Sequence, residues 1–362
     1  MVARDLAEFK REIEVLDTHT EGNPTRIILN GGNLPHNLSL QNKYNWLKNN
    51  DDQLRRLLNF EPRGNPMMCS VYLTPPTTDA PSADFAAVIM EQDEYVPMCG
   101  HCIIGAATAV VHLGLVPVKN PVTTIVFETL AGLVECEVKK DPNNSATWVS
   151  FMNVESFLLH KDTPLVLDRG QVLLADIAFG GDFYAIVDSN QLNIRVDSTN
   201  ERGLSQLARE ITAAVNNQTS ISHPENPLIN KCYEVLFTCD STGPSAFKHA
   251  VISPPGTLDR SPCGTGTSAR IASLHARGLV TTGCEYSFEG PLGTRFFALV
   301  QKEHKVNGLQ MITPRIRGRG FITGHSRLLL ESADPFPQGL RIHEYDDNSL
   351  SNNQFDERPS YG

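Results

Sequence analysis

A short pattern that occurs twice constrains the fold of this chain more than any other feature of its sequence. One copy begins at Cys99 and the second begins at Cys263, 164 positions later. Aligned without a gap, the two copies have the same residue at five positions: Cys99/Cys263, Gly100/Gly264, Gly114/Gly278, Leu115/Leu279 and Val116/Val280. The repeat predicts two related halves, each of which places one cysteine at the start of a helix.

The start of a helix suits a cysteine that moves protons. Its backbone N–H groups are unpaired and carry a partial positive charge, which lowers the pKa of a thiol below its free value of about 8.5. The same N–H groups can bind a carboxylate. The glycine that follows each cysteine lets a ligand approach the backbone closely. Two such thiols that face each other would be able to move a proton on and off one carbon from opposite sides.

Short apolar runs, most of them rich in β-branched and aromatic residues, predict strands in both halves. These runs span residues 25–29, 86–90, 124–127, 133–138, 183–187 and 296–300. The segment after Cys99 is apolar on nearly every side, which is typical of a buried helix, and Gly114 is placed to end it in a left-handed conformation. Residues 202–215 carry apolar side chains at spacings of three and four, which predicts an amphipathic surface helix.

These elements predict an α+β fold of two lobes, each with many strands around one buried helix. The helix N-termini are expected to point into the cleft between the lobes. A length of 362 residues agrees with about two domains at roughly 150 residues each. We assign residues 1–162 together with 328–362 to the first lobe, which carries Cys99. Residues 163–327 form the second lobe, which carries Cys263.

Charge and composition exclude several classes of protein. The formal net charge of −10 argues against a nucleic-acid-binding protein, which would present a basic face. Arg315, Arg317 and Arg319 repeat with a period of two, as one face of a strand does. No apolar run reaches the length of about 18 residues that predicts a membrane span. No apolar signal segment is visible near the charged N-terminus and the eight cysteines are expected to be reduced, so we expect a cytoplasmic location. The polar tail from Glu344 is expected to be loosely ordered.

The cysteines also allow two other interpretations. Cys99 and Cys102 have the C-x-x-C spacing of thiol–disulfide oxidoreductases, but that interpretation leaves the repeated Cys263 unexplained. A zinc site is disfavoured because Cys99, His101 and Cys102 lie in one short run and no second C-x-x-C or H-x₃-H completes a tetrahedral set. The remaining cysteines are predicted to be buried structural residues: Cys69, Cys136, Cys232, Cys239 and Cys284. We therefore expect neither a metal nor a cofactor.

At these motifs the chain resembles the proline racemase family. The segments that carry the resemblance run from near the N-terminus to about residue 340. They are Asp17-Thr18-His19-Thr20, Glu61-Pro62-Arg63-Gly64, Met98-Cys99-Gly100-His101, Phe179-Gly180-Gly181 with Phe183, Asp259 to Ala269, Ile322-Thr323-Gly324 and Asp334-Pro335. The resemblance implies a fold like that of diaminopimelate epimerase, with two pseudo-symmetric lobes that each wrap a sheet around a central helix. It also implies catalysis without a cofactor.

The resemblance assigns roles to particular residues. Cys99 and Cys263 correspond to the acid/base pair of the family. His101 and Asp259 are expected to flank the ring nitrogen of the substrate. The backbone N–H groups that are expected around the substrate carboxylate belong to Gly100, His101, Gly264 and Thr265. The implied partner is a small molecule, proline or a hydroxyproline, and a homodimer is one candidate assembly.

Within the family, cysteine at position 263 indicates a racemase or epimerase, because the trans-3-hydroxyproline dehydratases usually carry threonine there. The segment His19 to Pro24 is more similar to the 4-hydroxyproline epimerases. Three positions depart from the usual pattern: Asn65, Cys102 and Asp182. They bear on the choice of substrate more than on the type of reaction. A dehydratase on the same fold, the C-x-x-C oxidoreductase and a binding protein that keeps only the cleft remain alternatives.

Overall fold

The structure is a computed structural model that describes residues 9–341, except 36, 141–146, 169, 228, 244–245 and 255. The predictions for the N-terminal segment before Phe9 and for the tail from Glu344 lie outside the described residues. The strands are β1 (Phe9–Thr20), β2 (Asn23–Asn30), β3 (Cys69–Thr74), β4 (Phe85–Met90), β5 (Tyr95–Val96), β6 (Thr123–Thr129), β7 (Gly132–Lys140), β8 (Thr147–Met152), β9 (Ser156–Val166), β10 (Val172–Phe179), β11 (Phe183–Asp188), β12 (Cys232–Gly243), β13 (Ala246–Ser253), β14 (Thr257–Leu258), β15 (Glu285–Glu289), β16 (Arg295–Val306) and β17 (Leu309–Glu331). The helices are α1 (Leu40–Asn50), α2 (Asp52–Asn59), α3 (Gly100–His112), α4 (Glu201–Gln218) and α5 (Gly264–Ala276).

The order of strand pairings is the same in the two halves of the chain. In the first half β1 pairs with β2, β2 runs parallel to β3, β4 lies between β3 and β6, and β6, β7 and β8 follow as antiparallel neighbours. In the second half β10 to β13 and then β15 to β17 repeat that order, with β11 parallel to β12 and β13 between β12 and β15. One helix stands at the same place in each series, α3 before β6 and α5 before β15. The predicted α+β fold with two pseudo-symmetric lobes is confirmed.

Continuous strands join the two halves. The first part of β17 pairs with β16, residues 318–320 pair with β8, and residues from 320 onward pair with β1. In the opposite direction, β9 begins beside β17 at Ser156 and Phe157 and then pairs with β10. The halves therefore share one hydrogen-bonded framework of 17 described strands. The exact division of the chain after residues 162 and 327 stays a prediction.

All six segments predicted as strands lie within strands, in β2, β4, β6, β7, β11 and β16. The amphipathic helix predicted for residues 202–215 is α4. Gly114 ends α3 with a φ of 66°, as predicted, and Gly278 follows α5 with a φ of 71°. Helices α1 and α2 were not predicted. The prediction of buried cysteines is confirmed for Cys69, Cys136 and Cys232, whereas Cys239 is partly buried and Cys284 is exposed, so the prediction was wrong for Cys284. The three arginines lie on one face of β17, as predicted, and alternate with buried Ile316 and Gly318.

The helix that carries the first cysteine is the centre of the larger core. Every residue of α3 from Gly100 to Val111 is buried. The surrounding apolar cluster includes Phe127, Phe151 and Phe296 and extends to the apolar face of α5. Separate clusters pack α1 and α2 against the first half and α4 against the second. Within the described residues, no helix is both long and apolar enough to cross a membrane.

An ionic cluster attaches the C-terminal end of α5 to β10. The Asp176 carboxylate is 5% exposed and accepts a hydrogen bond from Ser273 Oγ at 2.6 Å. It accepts two more from Arg277, one from Nε at 2.9 Å and one from a terminal nitrogen at 2.6 Å. Burial alone would raise the pKa of Asp176, but the hydrogen bonds from Arg277 and Ser273 hold it below its usual value. The carboxylate therefore fixes the helix from the end opposite to Cys263.

Candidate active site

The two repeated cysteines are the N-cap residues of α3 and α5, as the sequence predicts. The starts of these helices meet at the glycines that follow them. A Cβ atom on Gly100 would lie 3.3 Å from the Cα of Gly264, and one on Gly264 would lie 3.2 Å from the Cα of Gly100. The two backbones therefore leave little room for a side chain at either glycine, and the close approach of the helix starts brings Cys99 and Cys263 to one junction.

The backbone at Cys263 is strained. Its φ of 63° and ψ of 121° lie in a region that non-glycine residues rarely adopt, at a cost of about 1–3 kcal/mol. Four hydrogen bonds hold the segment. The Cys263 sulfur accepts one from Gly266 N at 3.3 Å, and Cys263 N donates one to Ser261 Oγ at 3.1 Å. The carbonyl of Pro262 accepts the other two, from His249 Nε2 at 2.6 Å and from Thr267 Oγ1 in α5 at 3.1 Å. Burial lowers the pKa of His249 to about 4, so this donor is a neutral imidazole at neutral pH. The thiol is fixed in direction before a ligand binds.

His101 lies between two sulfur atoms in the first turn of α3. Its Nδ1 is 3.2 Å from Cys99 Sγ and its Nε2 is 3.5 Å from Cys102 Sγ. Burial alone would lower the pKa of His101, but the negative charges of Cys99 and Cys69 raise it well above its usual value. A hydrogen bond from the Cys102 thiol, with the positive charge of His101, lowers the pKa of Cys99 far below its usual range in spite of burial. These contacts favour the thiolate form of Cys99.

The second cysteine has the opposite protonation state. Burial raises the pKa of Cys263 well above its usual value, and the negative charges of Asp259 and Glu234 raise it further. The Tyr184 hydroxyl lies 3.6 Å from Cys263 Sγ and 2.7 Å from Thr265 Oγ1. Burial also raises the pKa of Tyr184, so its proton stays in place. Cys263 is therefore a neutral thiol at neutral pH, whereas the surroundings of Cys99 favour its thiolate form.

Asn23 connects the two halves at this point, a role that the sequence did not reveal. Its Nδ2 is 3.4 Å from both ring nitrogens of His101, and its Oδ1 accepts a hydrogen bond from Arg260 N at 3.4 Å. Arg260 follows Asp259, whose Oδ1 accepts hydrogen bonds from Ser261 N at 2.8 Å and Oγ at 2.9 Å. Burial raises the pKa of Asp259, while the nearby positive charge of His101 acts in the opposite direction. His101 and Asp259, which belong to different halves of the chain, are thus connected through Asn23 and Arg260.

The helix starts also supply donors for an anion. The first intrahelical hydrogen bonds come from Ile103 N to the Cys99 carbonyl, at 3.0 Å, and from Thr267 N to the Cys263 carbonyl, at 2.9 Å. The backbone N–H groups of Gly100, His101, Gly264 and Thr265 precede these bonds in the first turns of α3 and α5. Such N–H groups have no partner within their own helix and can bind an anion. The site thus combines two cysteines whose pKa values are shifted in opposite directions with the N-termini of two helices.

Asp182, one of the three unusual residues, lies beside this site. It is partly buried in the turn between β10 and β11, where its carbonyl accepts a hydrogen bond from Gly180 N at 3.0 Å. A Cβ on Gly181 would lie 2.7 Å from the Thr265 side chain, so the turn packs on the start of α5. The negative charge of Asp182 contributes to the raised pKa of Tyr184. A contact between Asp182 and the substrate stays a prediction.

Comparison with known proteins gives matches along nearly the whole chain. The family model described as proline racemase matches residues 15–341. A 4-hydroxyproline 2-epimerase of Streptosporangium roseum is 38% identical over 334 residues, which cover 92% of this chain and 99% of that protein. A proline racemase of Clostridioides difficile is 37% identical over 335 residues, with coverage of 92% and 99%.

Solved structures show the same fold. A hydroxyproline epimerase from Agrobacterium vitis with bound trans-4-hydroxy-L-proline has a TM-score of 0.81 and 30% sequence identity, and the match covers 93% of this chain and 96% of that chain. A PhzF-family phenazine biosynthesis protein of Bacillus anthracis has a TM-score of 0.57 and 15% identity, over 88% of this chain and 99% of that one. At that identity the similarity concerns the fold alone.

Proposed function

The chain belongs to the proline racemase family of isomerases, and from this premise we propose that it inverts the α-carbon of a cyclic imino acid by passing protons between Cys99, Cys263 and that carbon. One observation carries the proposal. The helices that begin after the two cysteines meet at Gly100 and Gly264, so both sulfurs belong to one site.

The opposite protonation states support a two-base mechanism. The Cys99 thiolate accepts the α-proton from one face, and the Cys263 thiol donates its proton to the other face. The carbon exchanges one C–H bond for another of inverted configuration, and no electrons leave the substrate. The two cysteines then have exchanged protonation states, which suits the reverse reaction. Proton transfer of this kind contributes about 10²- to 10⁴-fold to the rate.

The helix N-termini would stabilise the intermediate. Removal of the α-proton spreads negative charge into the carboxylate, and preorganised N–H groups at that position lower the barrier. Asp259, which Ser261 holds in place, would accept a hydrogen bond from the ring nitrogen on one side, with His101 on the other. No part of this mechanism requires a group other than side chains and backbone of this chain.

For the substrate we propose 4-hydroxyproline before proline. The segment Gly22-Asn23-Pro24 is similar to that of the 4-hydroxyproline epimerases, and Asn23 contacts His101 in this site. The oxidoreductase alternative is disfavoured because Cys99 is 9% exposed and Cys102 is fully buried, so a protein disulfide has poor access to them. The dehydratase alternative is disfavoured by the cysteine at position 263.

The proposed reaction is tested by incubating the enzyme in D₂O with L-proline, D-proline and the 3- and 4-hydroxyprolines. We expect deuterium at the α-carbon and inversion, fastest with trans-4-hydroxy-L-proline and its 2-epimer, detected by NMR and chiral chromatography. A pyrroline product from trans-3-hydroxy-L-proline without inversion would indicate the dehydratase instead. Absence of α-exchange with every compound would contradict the proposal.

The position of Cys102 in the first helical turn after Cys99 predicts reversible oxidation of these two sulfurs. Peroxide converts the Cys99 thiolate to a sulfenic acid, and the Cys102 thiol can displace water from it to form a disulfide. We expect rapid loss of isomerase activity with hydrogen peroxide and full recovery with dithiothreitol. Cys102→Ala should be inactivated more slowly and recover less, whereas Cys284→Ser, at an exposed position, should behave as the parent. Equal inactivation rates in Cys102→Ala and the parent would contradict the role of Cys102.

A further inference from the structure

Three soft ligand atoms converge behind the first catalytic cysteine. Cys69 begins β3, whereas His101 and Cys102 lie in the first turn of α3. The two sulfurs and one imidazole nitrogen all lie within 4.8 Å of one another. All three residues are buried, with exposures of 8%, 6% and 0%. The zinc site that looked incomplete in the sequence thus receives a ligand from outside the short run, on a strand that precedes the motif by 30 residues, and Cys99 is not part of the set.

The orientation of the imidazole suits a metal ligand. Nε2 is the nitrogen on the Cys102 side, at 3.5 Å from its sulfur, and Nδ1 is directed to Cys99. A tetrahedral zinc ion with ordinary bond lengths would separate a ligand nitrogen from a ligand sulfur by about 3.6 Å and two sulfurs by about 3.8 Å. Nδ1–H would still donate to Cys99, as the free nitrogen of a metal-bound histidine usually donates to an acceptor.

We propose that Cys69 Sγ, Cys102 Sγ and His101 Nε2 bind a thiophilic divalent cation such as Zn²⁺, with a fourth position for water. Two thiolates balance the charge of the ion, so the loaded cluster is neutral and suits its buried position. Binding releases the protons of these ligands to solvent. Soft thiolates with one imidazole favour zinc over magnesium or calcium, which prefer oxygen ligands.

The ion would act on the isomerase reaction through its ligands. His101 contacts Cys99 Sγ through Nδ1 at 3.2 Å, and the loaded ion would hold the other nitrogen of the same ring, so that His101 could no longer turn to a substrate. We therefore expect bound zinc to inhibit α-proton exchange. This consequence rests on the proposed function, whereas binding itself does not.

Binding is tested with cobalt as a spectroscopic probe. The full chain, reduced and freed of metal with a chelator, is titrated with Co²⁺ without oxygen. We expect one equivalent bound per chain with a thiolate-to-cobalt absorption band, and displacement of Co²⁺ by Zn²⁺. Cys69→Ser and Cys102→Ser should each weaken binding by more than about tenfold, whereas Cys284→Ser should bind as the parent does. No band in the parent, or a band of equal strength in the Cys69→Ser variant, would overturn the site.

Inhibition provides the second measurement. The α-exchange rate of each variant is compared with and without Zn²⁺ and normalised to the metal-free rate of the same variant. We expect Zn²⁺ to inhibit α-exchange by the parent strongly and a chelator to reverse this inhibition. Inhibition of Cys69→Ser should be weaker, and the circular dichroism of this variant should match that of the parent. Equal inhibition of parent and Cys69→Ser would place the inhibitory ion elsewhere and overturn this part. Failure of α-exchange in every sample would refute the proposed function and leave the cobalt result unaffected.

Discussion

Replacing Cys263 by serine is expected to abolish inversion while it leaves α-hydrogen exchange with one stereoisomer intact. Serine cannot replace the thiol as a proton donor because its hydroxyl is a much weaker acid, so the rate of inversion should fall by at least about 10²- to 10⁴-fold. Cys99, which the His101 and Cys102 contacts hold as a thiolate, can still remove and return a proton on its own face. The remaining exchange should therefore occur with retention of configuration.

The Cys99→Ser variant should give the complementary result. It should lose inversion as well, and any remaining exchange should concern the opposite stereoisomer, on the face of Cys263. Separate measurements of deuterium incorporation and of configuration in D₂O distinguish the two variants. Cys284→Ser, at an exposed position away from the helix starts, is the control and should keep the parental rate. Inversion within a factor of ten of the parent in either active-site variant would exclude the two-thiol mechanism.

The features that the sequence predicted correctly are those that local patterns determine. The N-cap positions of Cys99 and Cys263 follow from a cysteine and a glycine before a helical segment, and the left-handed conformation of Gly114 follows from its position after one. The six predicted strands have apolar runs that are distinct on their own. Helices α1 and α2 were missed because their polar residues obscure the narrow apolar face that packs on the first half.

The remaining parts of the site depend on contacts between distant segments. The position of Cys69 beside His101 requires β3 to pack against the first turn of α3, and no local pattern specifies that contact. The bridge that Asn23 forms from His101 to Arg260 joins the two halves of the chain. The repeat indicates two equivalent cysteines, but it does not reveal that the pKa of Cys99 is lowered and that of Cys263 is raised. That difference arises from unequal surroundings in a symmetric frame.

Replacement of Asp176 by asparagine, at the end of α5 opposite to Cys263, is expected to destabilise the protein strongly. The carboxylate is buried and pairs with Arg277, and the buried guanidinium of Arg270 lies within its field. Removing one partner of a buried ion pair costs about 3–5 kcal/mol, and we expect about 3 kcal/mol because Arg277 is partly in solvent. The free energy of unfolding is measured by urea denaturation.

The pH dependence of this loss has a definite sign. The pKa of Asp176 is lowered in the folded protein, so its contribution to stability is complete above the pKa of the unfolded chain, about 4, and decreases as the pH falls through the folded value. The difference between parent and Asp176→Asn should thus be largest near neutral pH and should narrow in acid. Asp93→Asn, which breaks the more exposed pair with Arg341, is the matched control and should cost at most about 1 kcal/mol. Equal losses for the two variants at neutral pH would show that Asp176 does not hold the end of α5, and the fixed direction of Cys263 would then depend on its own hydrogen bonds alone.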